Sequence, residues 1–306
     1  MVKKLSNEEK VQVSAVVVTY NRLAFLKECI AALLQQTEKV AHIIVVDNHS
    51  AQETQDYLTS LGTKIDYLRL EQNIGGAGGF YSGIKYFAKK TQDDFVWVMD
   101  DDTIPAPDAL KQLVAAAKIV PEVGFLASNP KWIDGSPAVM NVPMVAHPNW
   151  TNRLDAQQQL IAIKQASFVS IMINRSAVLK VGLPIQQFFI WGDDTEYTER
   201  IKRQFEAYLV PNSIVVHKMK QNQNVDIIQD TPNRVGRYYY AYRNRLYNAR
   251  QRSNKEVLRY WIQLVTMIVK VLVKPNSGKF KKIGVMLHGM WSGLWFKPQV
   301  EFVQGQ

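Results

Sequence analysis

Along the chain, short β-branched runs alternate with longer stretches whose apolar residues recur at helical spacing. Val11–Thr19 predicts a first strand buried on both faces. It breaks at Tyr20-Asn21-Arg22, after which Leu26, Ile30, Leu33 and Leu34 follow a helical period, with Asn21 placed to cap that helix. His42–Val46 predicts a second strand ending in Asp47-Asn48-His49-Ser50. Ser50 and Glu53 then have the spacing of a capping box, which opens a helix through about Leu61. Ile65–Leu70 predicts a third strand. This alternation is the expected beginning of a doubly wound, mostly parallel α/β sheet.

Asn73–Phe80 places four glycines just ahead of a helix with Phe80, Ile84 and Phe87 on one face. The buried-strand pattern Phe95–Asp102 follows, then a helix from about Pro107 to Ile119. Gly124–Ala127, Phe168–Ile173 and Val210–His217 predict further strands. Asn129–Trp150 predicts a long loop or hairpin over a site, and Met219–Arg234, which lacks periodicity, a lid-like loop. Val257–Val273 is apolar except for Arg259, Gln263, Thr266 and Lys270, with Lys274 just beyond. On a helix these residues form one narrow polar stripe. Such a helix suits a membrane interface or packing on the preceding domain.

Composition refines this picture in three places. The 306 residues, 47% of them apolar, suffice for one large domain with an appendage. A division at residue 220 is expected, with 221–306 as a helical, basic and aromatic region. A lone Cys29 excludes an intrachain disulfide and suits a reducing compartment. Met1–Lys10 has no apolar core of a signal peptide, and no uninterrupted apolar stretch is long enough to span a bilayer. Net charge is +10, divided as −4 over residues 1–199 and +14 over 200–306. The basic end predicts contact with an anionic surface or a merely solvated face. No helix-turn-helix, zinc-ligand spacing or RNA-recognition signature is present, so membrane rather than nucleic acid is the expected partner.

Candidate chemistry gathers where apolar strands end in acids. Asp100-Asp101-Asp102 closes Phe-Val-Trp-Val-Met, and ligands of open α/β sheets collect at the carboxyl ends of strands. Three adjacent carboxylates fit either a solvated acidic turn or a site for Mg²⁺ or Mn²⁺ shared with a diphosphate. The glycine run fits a phosphate-binding helix start or a flexible turn, and it is not a Walker loop. Trp191-Gly192-Asp193-Asp194-Thr195-Glu196 delivers acids to a helix start. They either complement the helix dipole or line a sugar site behind aromatic rings. His217, at a strand end, is either structural or a metal ligand.

Val-Val-Thr-Tyr-Asn-Arg (Val17–Arg22), Val-Val-Asp-Asn (Val45–Asn48), Asn-x-Gly-Gly-Ala-Gly-Gly-Phe (Asn73–Phe80), Asp100–Asp102, Trp-Gly-Asp-Asp-x-Glu-Tyr (Trp191–Tyr197) and His217 occur in that order. The set resembles the glycosyltransferase family 2 enzymes of GT-A fold, over about residues 11–220, and within them the bacterial galactofuranosyl- and rhamnosyltransferases. The tail is similar only through Tyr-x-x-Arg-Asn at Tyr240–Asn244. The resemblance implies that Thr19, Arg22 and Asp47 hold the nucleoside and that Gly75 and Gly76 lie against the nucleotide-sugar. It implies Asp100, Asp102 and His217 as ligands of Mn²⁺ or Mg²⁺, supported by Asp101. It further implies Asp194 as general base, with Trp191, Asp193 and Glu196 shaping the acceptor pocket. Gly192 departs from relatives whose two acids follow Trp directly, which blurs the division of roles between Asp193 and Asp194.

The expected activity is inverting, metal-dependent transfer of a sugar to a lipid-linked or growing cell-surface glycan, at the cytoplasmic face of the membrane. Galactofuranose from its UDP donor is favoured over rhamnose from dTDP-rhamnose. A sugar-nucleotide pyrophosphorylase is the enzymatic rival, but the chain lacks a Gly- and Arg/Lys-rich triphosphate loop near the first strand. A non-catalytic module that binds anionic surfaces is the other rival. A homo-oligomer through the tail is compatible with all of these.

Overall fold

In the computed structural model, which describes residues 10–120, 122–153 and 159–303, helices flank both faces of one large mixed sheet. The N-terminal half runs β1 (Val13–Thr19), α1 (Leu23–Leu34), β2 (His42–Asp47), α2 (Gln52–Ser60), β3 (Asp66–Arg69), α3 (Gly75–Lys90) and β4 (Phe95–Asp100). Next come β5 (Thr103–Pro105), α4 (Ala109–Ile119), β6 (Val123–Lys131), β7 (Met144–Val145), β8 (Ile161–Gln165) and β9 (Ile171–Asn174). The chain continues with α5 (Arg175–Val181), α6 (Asp193–Lys202), β10 (Glu206–His217), α7 (Tyr238–Arg252), α8 (Asn254–Val273) and α9 (Lys279–Trp295). Residues 1–9, where a signal peptide was not expected, lie outside the described residues.

Strand order is β3-β2-β1-β4-β9-β6-β10-β8-β7, with β5 also paired to β10. Pairing is parallel from β3 through β4. Beyond that β9 enters antiparallel between β4 and β6, so the expected parallel half is followed by a mixed half. Every residue of β1 is buried, as its β-branched sequence predicts. Alternate side chains serve opposite cores: Val13, Ala15 and Val17 pack with α1 and α4, Val16 and Val18 with α3.

Two expected helix caps are corrected. Asn21 does not cap α1; it sits at φ 55°, and its side-chain oxygen accepts from the Ala51 amide. Ser50 does not cap α2 in a box with Glu53, because the cap position is Ala51 and no side chain bonds there. The Ser50 hydroxyl instead accepts from the Asn21 amide. The loops after β1 and β2 thus clip each other, which fixes two strand ends side by side.

Residues 221–303 are predominantly helical. Helices α7, α8 and α9 share an apolar cluster that includes Tyr238, Leu246, Tyr260, Leu264, Val271 and Met286. The chain then returns to the sheet domain: the Leu183 amide donates to Glu301 O at 2.8 Å, and Lys85 pairs with the Glu301 carboxylate. Among the described residues no helix is long and apolar enough to cross a membrane.

Candidate active site

Register across the parallel strands lines up the acidic and polar residues. Thr19 lies opposite Asp47, Asp47 opposite Arg69, and Val18 opposite Asp100. All stand at carboxyl ends, where strand backbones stop consuming polar partners and loops diverge. Thr19 Oγ1 donates to Asp101 Oδ2 at 2.7 Å. Arg22 forks across Asp101 and Asp102, with Nη1 3.1 Å from Asp101 Oδ1. Thr19 and Arg22 therefore position the acidic triplet itself. Asp47 is fully buried, and its carboxylate accepts from the Ser50 amide, Tyr67 and Arg69. In this arrangement Asp47 orients Arg69, a half-buried cation at the strand row that sequence reading passed over.

Asp100, Asp102 and His217 each offer one ligand atom, all within 4.8 Å of one another. His217 closes β10, whose register with β5 sets Thr103 opposite it. His217 Nε2 lies 3.3 Å from Asp102 Oδ1 but off the line of a hydrogen bond. Asp102 Oδ1 and His217 Nδ1 are both buried without partners. Buried polar atoms are seldom left unpaired, so this donor set fits a hard divalent cation, with two carboxylates and one imidazole. Burial, then the charge of Asp102, pushes the Asp100 carboxyl up to about 8, and burial raises Asp101 to about 7 against Arg22 and Thr19. Burial would raise Asp102 as well, but His217 and Arg22 together hold it below its ordinary value. Positive charge placed beside Asp100 and Asp101 would favour their ionised forms, as His217 and Arg22 already do for Asp102.

Across the site, the turn Phe189-Ile190-Trp191-Gly192 leads into α6. Phe189, Trp191 and Gly192 all have positive φ, at 63°, 64° and 87°. Positive φ is costly for the two aromatic residues and persists only when neighbours over-determine it. Helix α7 does so. The Asn244 amide lies within bonding reach of the carbonyls of Phe188, Ile190 and Trp191, at 3.0, 3.1 and 2.8 Å. Asn248 Nδ2 donates to Gly192 O at 2.9 Å, and Arg243 donates to Gln187 O and Phe188 O. The Arg243-Asn244 end of the tail motif is thus a staple for the acidic turn. Asn244→Ala is expected to lower stability by roughly 2–3 kcal/mol through orphaned buried carbonyls and a released strained turn. A denaturant melt checks this; a change within about 0.5 kcal/mol, as at an ordinary surface site, would overturn the staple.

The turn delivers Asp193 and Asp194 to the first turn of α6. Asp194 Oδ1 accepts from the Thr195 amide at 2.6 Å. Burial, then the neighbouring Asp194 charge, raises Asp193 to about 8, and burial raises Asp194 as well. Glu196 does not stand with them. Both its oxygens pair with Arg200, which also donates to Leu183 O and Val181 O, so it anchors α6 to the sheet domain. Trp191 packs against Tyr238, their rings 5.3 Å apart, and borders a cavity reaching into the C-terminal helices.

The glycine run has a reading different from ligand approach alone. Gly75 has φ 77°, and a Cβ there would lie 2.0 Å from Phe189 O. Ala77 N donates to that same carbonyl at 3.2 Å, so the start of α3 is docked onto the acidic turn. Gly78 and Gly79 make room for Ile74 and Val18, leaving Gly76 as the member of the opening pair facing open space. Asn48, also missed from sequence, bonds Gly75 O and the Ile74 amide and so ties the β2 end to this helix start.

Comparison with known proteins is consistent with this geometry. The profile described as Glycosyl transferase family 2 matches residues 14–182. Galactofuranosyltransferase GlfT1 of Mycobacterium tuberculosis (strain ATCC 25618 / H37Rv) is 30% identical over 279 residues, covering 83% of this chain and 89% of the relative. GlfT1 of Mycolicibacterium smegmatis is 29% identical over 202 residues, covering 62% of this chain and 65% of that protein. Among solved structures, GalNAc-T7 with UDP, GalNAc and Mn²⁺ superposes with a TM-score of 0.58 at 15% identity, over 80% of this chain and 52% of that one. This chain thus spans about half of the GalNAc-T7 chain. S. aureus TarS 1–349 in complex with UDP gives a TM-score of 0.54 at 15% identity, over 90% and 71% of the two chains. Identities this low speak for the shared fold, of GT-A type, and the sequence matches for descent. A strand row ending in acids, an acid-tipped helix and a family match over more than half its length make this chain a member of glycosyl transferase family 2.

Proposed function

We propose that this glycosyltransferase moves galactofuranose from UDP-galactofuranose to a lipid-linked or growing cell-surface glycan, with inversion at the anomeric carbon. What carries the reading is the buried, unpartnered pair Asp102 Oδ1 and His217 Nδ1, in a chain similar over 83% of its length to a named galactofuranosyltransferase. The nucleoside half of the donor lies over the strand row Thr19, Asp47 and Arg69, with Gly76 at the open helix start. Asp100, Asp102 and His217 would hold Mn²⁺ or Mg²⁺, which supplies positive charge to the departing diphosphate. Arg22 and Thr19 keep Asp101 and Asp102 aligned without competing for the face that meets the donor. Asp194 takes the proton of the acceptor hydroxyl as that oxygen attacks, and the strained turn fixes its position. A single attack opposite the leaving group inverts the sugar, and no second nucleophile is required.

Membrane attachment at the cytoplasmic face is the second part of the proposal, through a domain comprising 221–306. Leu258, Ile262, Val265, Val269 and Leu272 of α8 are exposed at helical spacing, beside the exposed stripe Arg259, Gln263, Thr266 and Lys270. Phe280, Trp291 and Trp295 are exposed on α9. An apolar row flanked by basic residues, within the 200–306 stretch of net +14, suits anionic lipid.

Calorimetry of the full chain with UDP and dTDP, with and without Mn²⁺, tests the donor site. UDP binding that requires Mn²⁺ is expected; binding of neither nucleotide to folded protein overturns the donor reading, and dTDP preference overturns galactofuranose. Co-sedimentation with phosphatidylcholine vesicles, with and without phosphatidylglycerol, tests the second part. Equal recovery with both lipids, or none, together with a concentration-dependent dimer, would assign the apolar row to a second copy instead.

A further inference from the structure

Between α7, α8 and the turn ahead of α6 lies a cavity of about 440 Å³. Three arginines, Arg245, Arg252 and Arg259, border it together with the rings of Trp191, Tyr238 and Tyr260. Arg252 is held by Glu199 and Arg259 by Glu256. Arg245 is exposed and, among the described residues, has no carboxylate within 4.0 Å. The wall therefore carries uncommitted positive charge beside apolar ring faces. Asn248 also borders the cavity; its Nδ2 is fixed on Gly192 O, while its buried Oδ1 has no partner. Gly192 and Thr195, the residues either side of Asp193-Asp194, complete the near wall.

None of this belongs to the donor side, which lies at the strand ends around Asp100, Asp102 and His217. Guanidinium forks match phosphate oxygens, aromatic faces match the C–H faces of a sugar, and an orphan amide oxygen matches a hydroxyl donor. We propose that this cavity binds the phosphate-bearing end of the acceptor, a sugar joined through phosphate or diphosphate to its carrier. The proposal rests on the glycosyltransferase reading above and adds to it where the acceptor's anion is gripped. An anion here keeps the acceptor within one residue, along the chain, of the carboxylate that takes its proton. The exposed row Leu258 and Ile262 starts next to Arg259 and gives a hydrocarbon carrier an apolar track.

The test is titration calorimetry of the full chain with N-acetylglucosamine 1-phosphate and with N-acetylglucosamine, chelator present so that metal-dependent donor binding is silent. The phosphorylated sugar is expected to bind at least about tenfold more tightly than the free sugar, a difference of about 1.4 kcal/mol. Arg245→Glu is expected to abolish that preference and Arg245→Gln to reduce it; Arg245 is exposed, so circular dichroism should report folded variants. No binding by the phosphorylated sugar, or a preference that survives Arg245→Glu, overturns the proposal. If phosphatidylglycerol vesicles depend on Arg245 and the sugar phosphate does not, the cavity is a headgroup site and the acceptor assignment falls. A parallel titration of UDP with Mn²⁺ separates the two readings. UDP binding without sugar-phosphate binding overturns this inference alone, whereas failure of UDP overturns the donor site beneath it.

Discussion

Asp194→Asn is expected to lower turnover by roughly 10²–10⁴-fold, the usual worth of a positioned general base, while Mn²⁺-dependent UDP binding persists. The substitution keeps the shape of the side chain and its bond from the Thr195 amide, but an amide cannot take a proton. The Asp193–Asp194 pair also dictates how wild-type activity follows pH. Burial raises both carboxyls, and the Asp194 charge helps raise Asp193 to about 8, so the pair retains protons above the ordinary carboxylate range. A base works only when ionised. Hence kcat/KM should rise with pH along a limb displaced above the ordinary carboxylate range. Steady-state rates across pH, with donor and acceptor subsaturating, check this. A profile flat from pH 5 upward, or an Asp194→Asn enzyme with normal turnover, would remove Asp194 from the role of base.

Asp102→Ala carries the second large effect, and it falls on binding. The residue supplies the unpartnered Oδ1 and one arm of the Arg22 fork. Its loss should weaken UDP binding in Mn²⁺ by at least about 100-fold, or about 2.8 kcal/mol, and erase the difference between titrations with and without metal. Arg22 keeps Asp101 as a partner, so the fold should survive and circular dichroism should be unchanged. An Asp102→Ala protein that still binds UDP more tightly with Mn²⁺ than without would eliminate the Asp100-Asp102-His217 site. Together the two variants separate the chemistry of the acceptor side from the grip on the donor.

Much of the acidic strand row was legible because it is local in the chain. A β-branched run buried on both faces marks a central strand, and acids at its end mark the rim of a parallel sheet, whatever the partner strands. The glycine run was legible as a helix start, yet its cause was misplaced: Gly75 gives way to the Phe189 carbonyl, 114 positions later in the chain. Asp47 and Glu196 were legible as acids and not as partners of Arg69 and Arg200, since an ion pair is made by register and helix packing.

Sequence alone therefore determined the strand-helix alternation, the acidic strand end and the acid-tipped helix, because each is written in neighbouring residues at a fixed period. Tertiary structure decided which atoms are left without partners, why Asn244 holds the acidic turn, and that three arginines of two helices share one cavity. Those are properties of groups far apart in the chain, and only packing sets the distance between them.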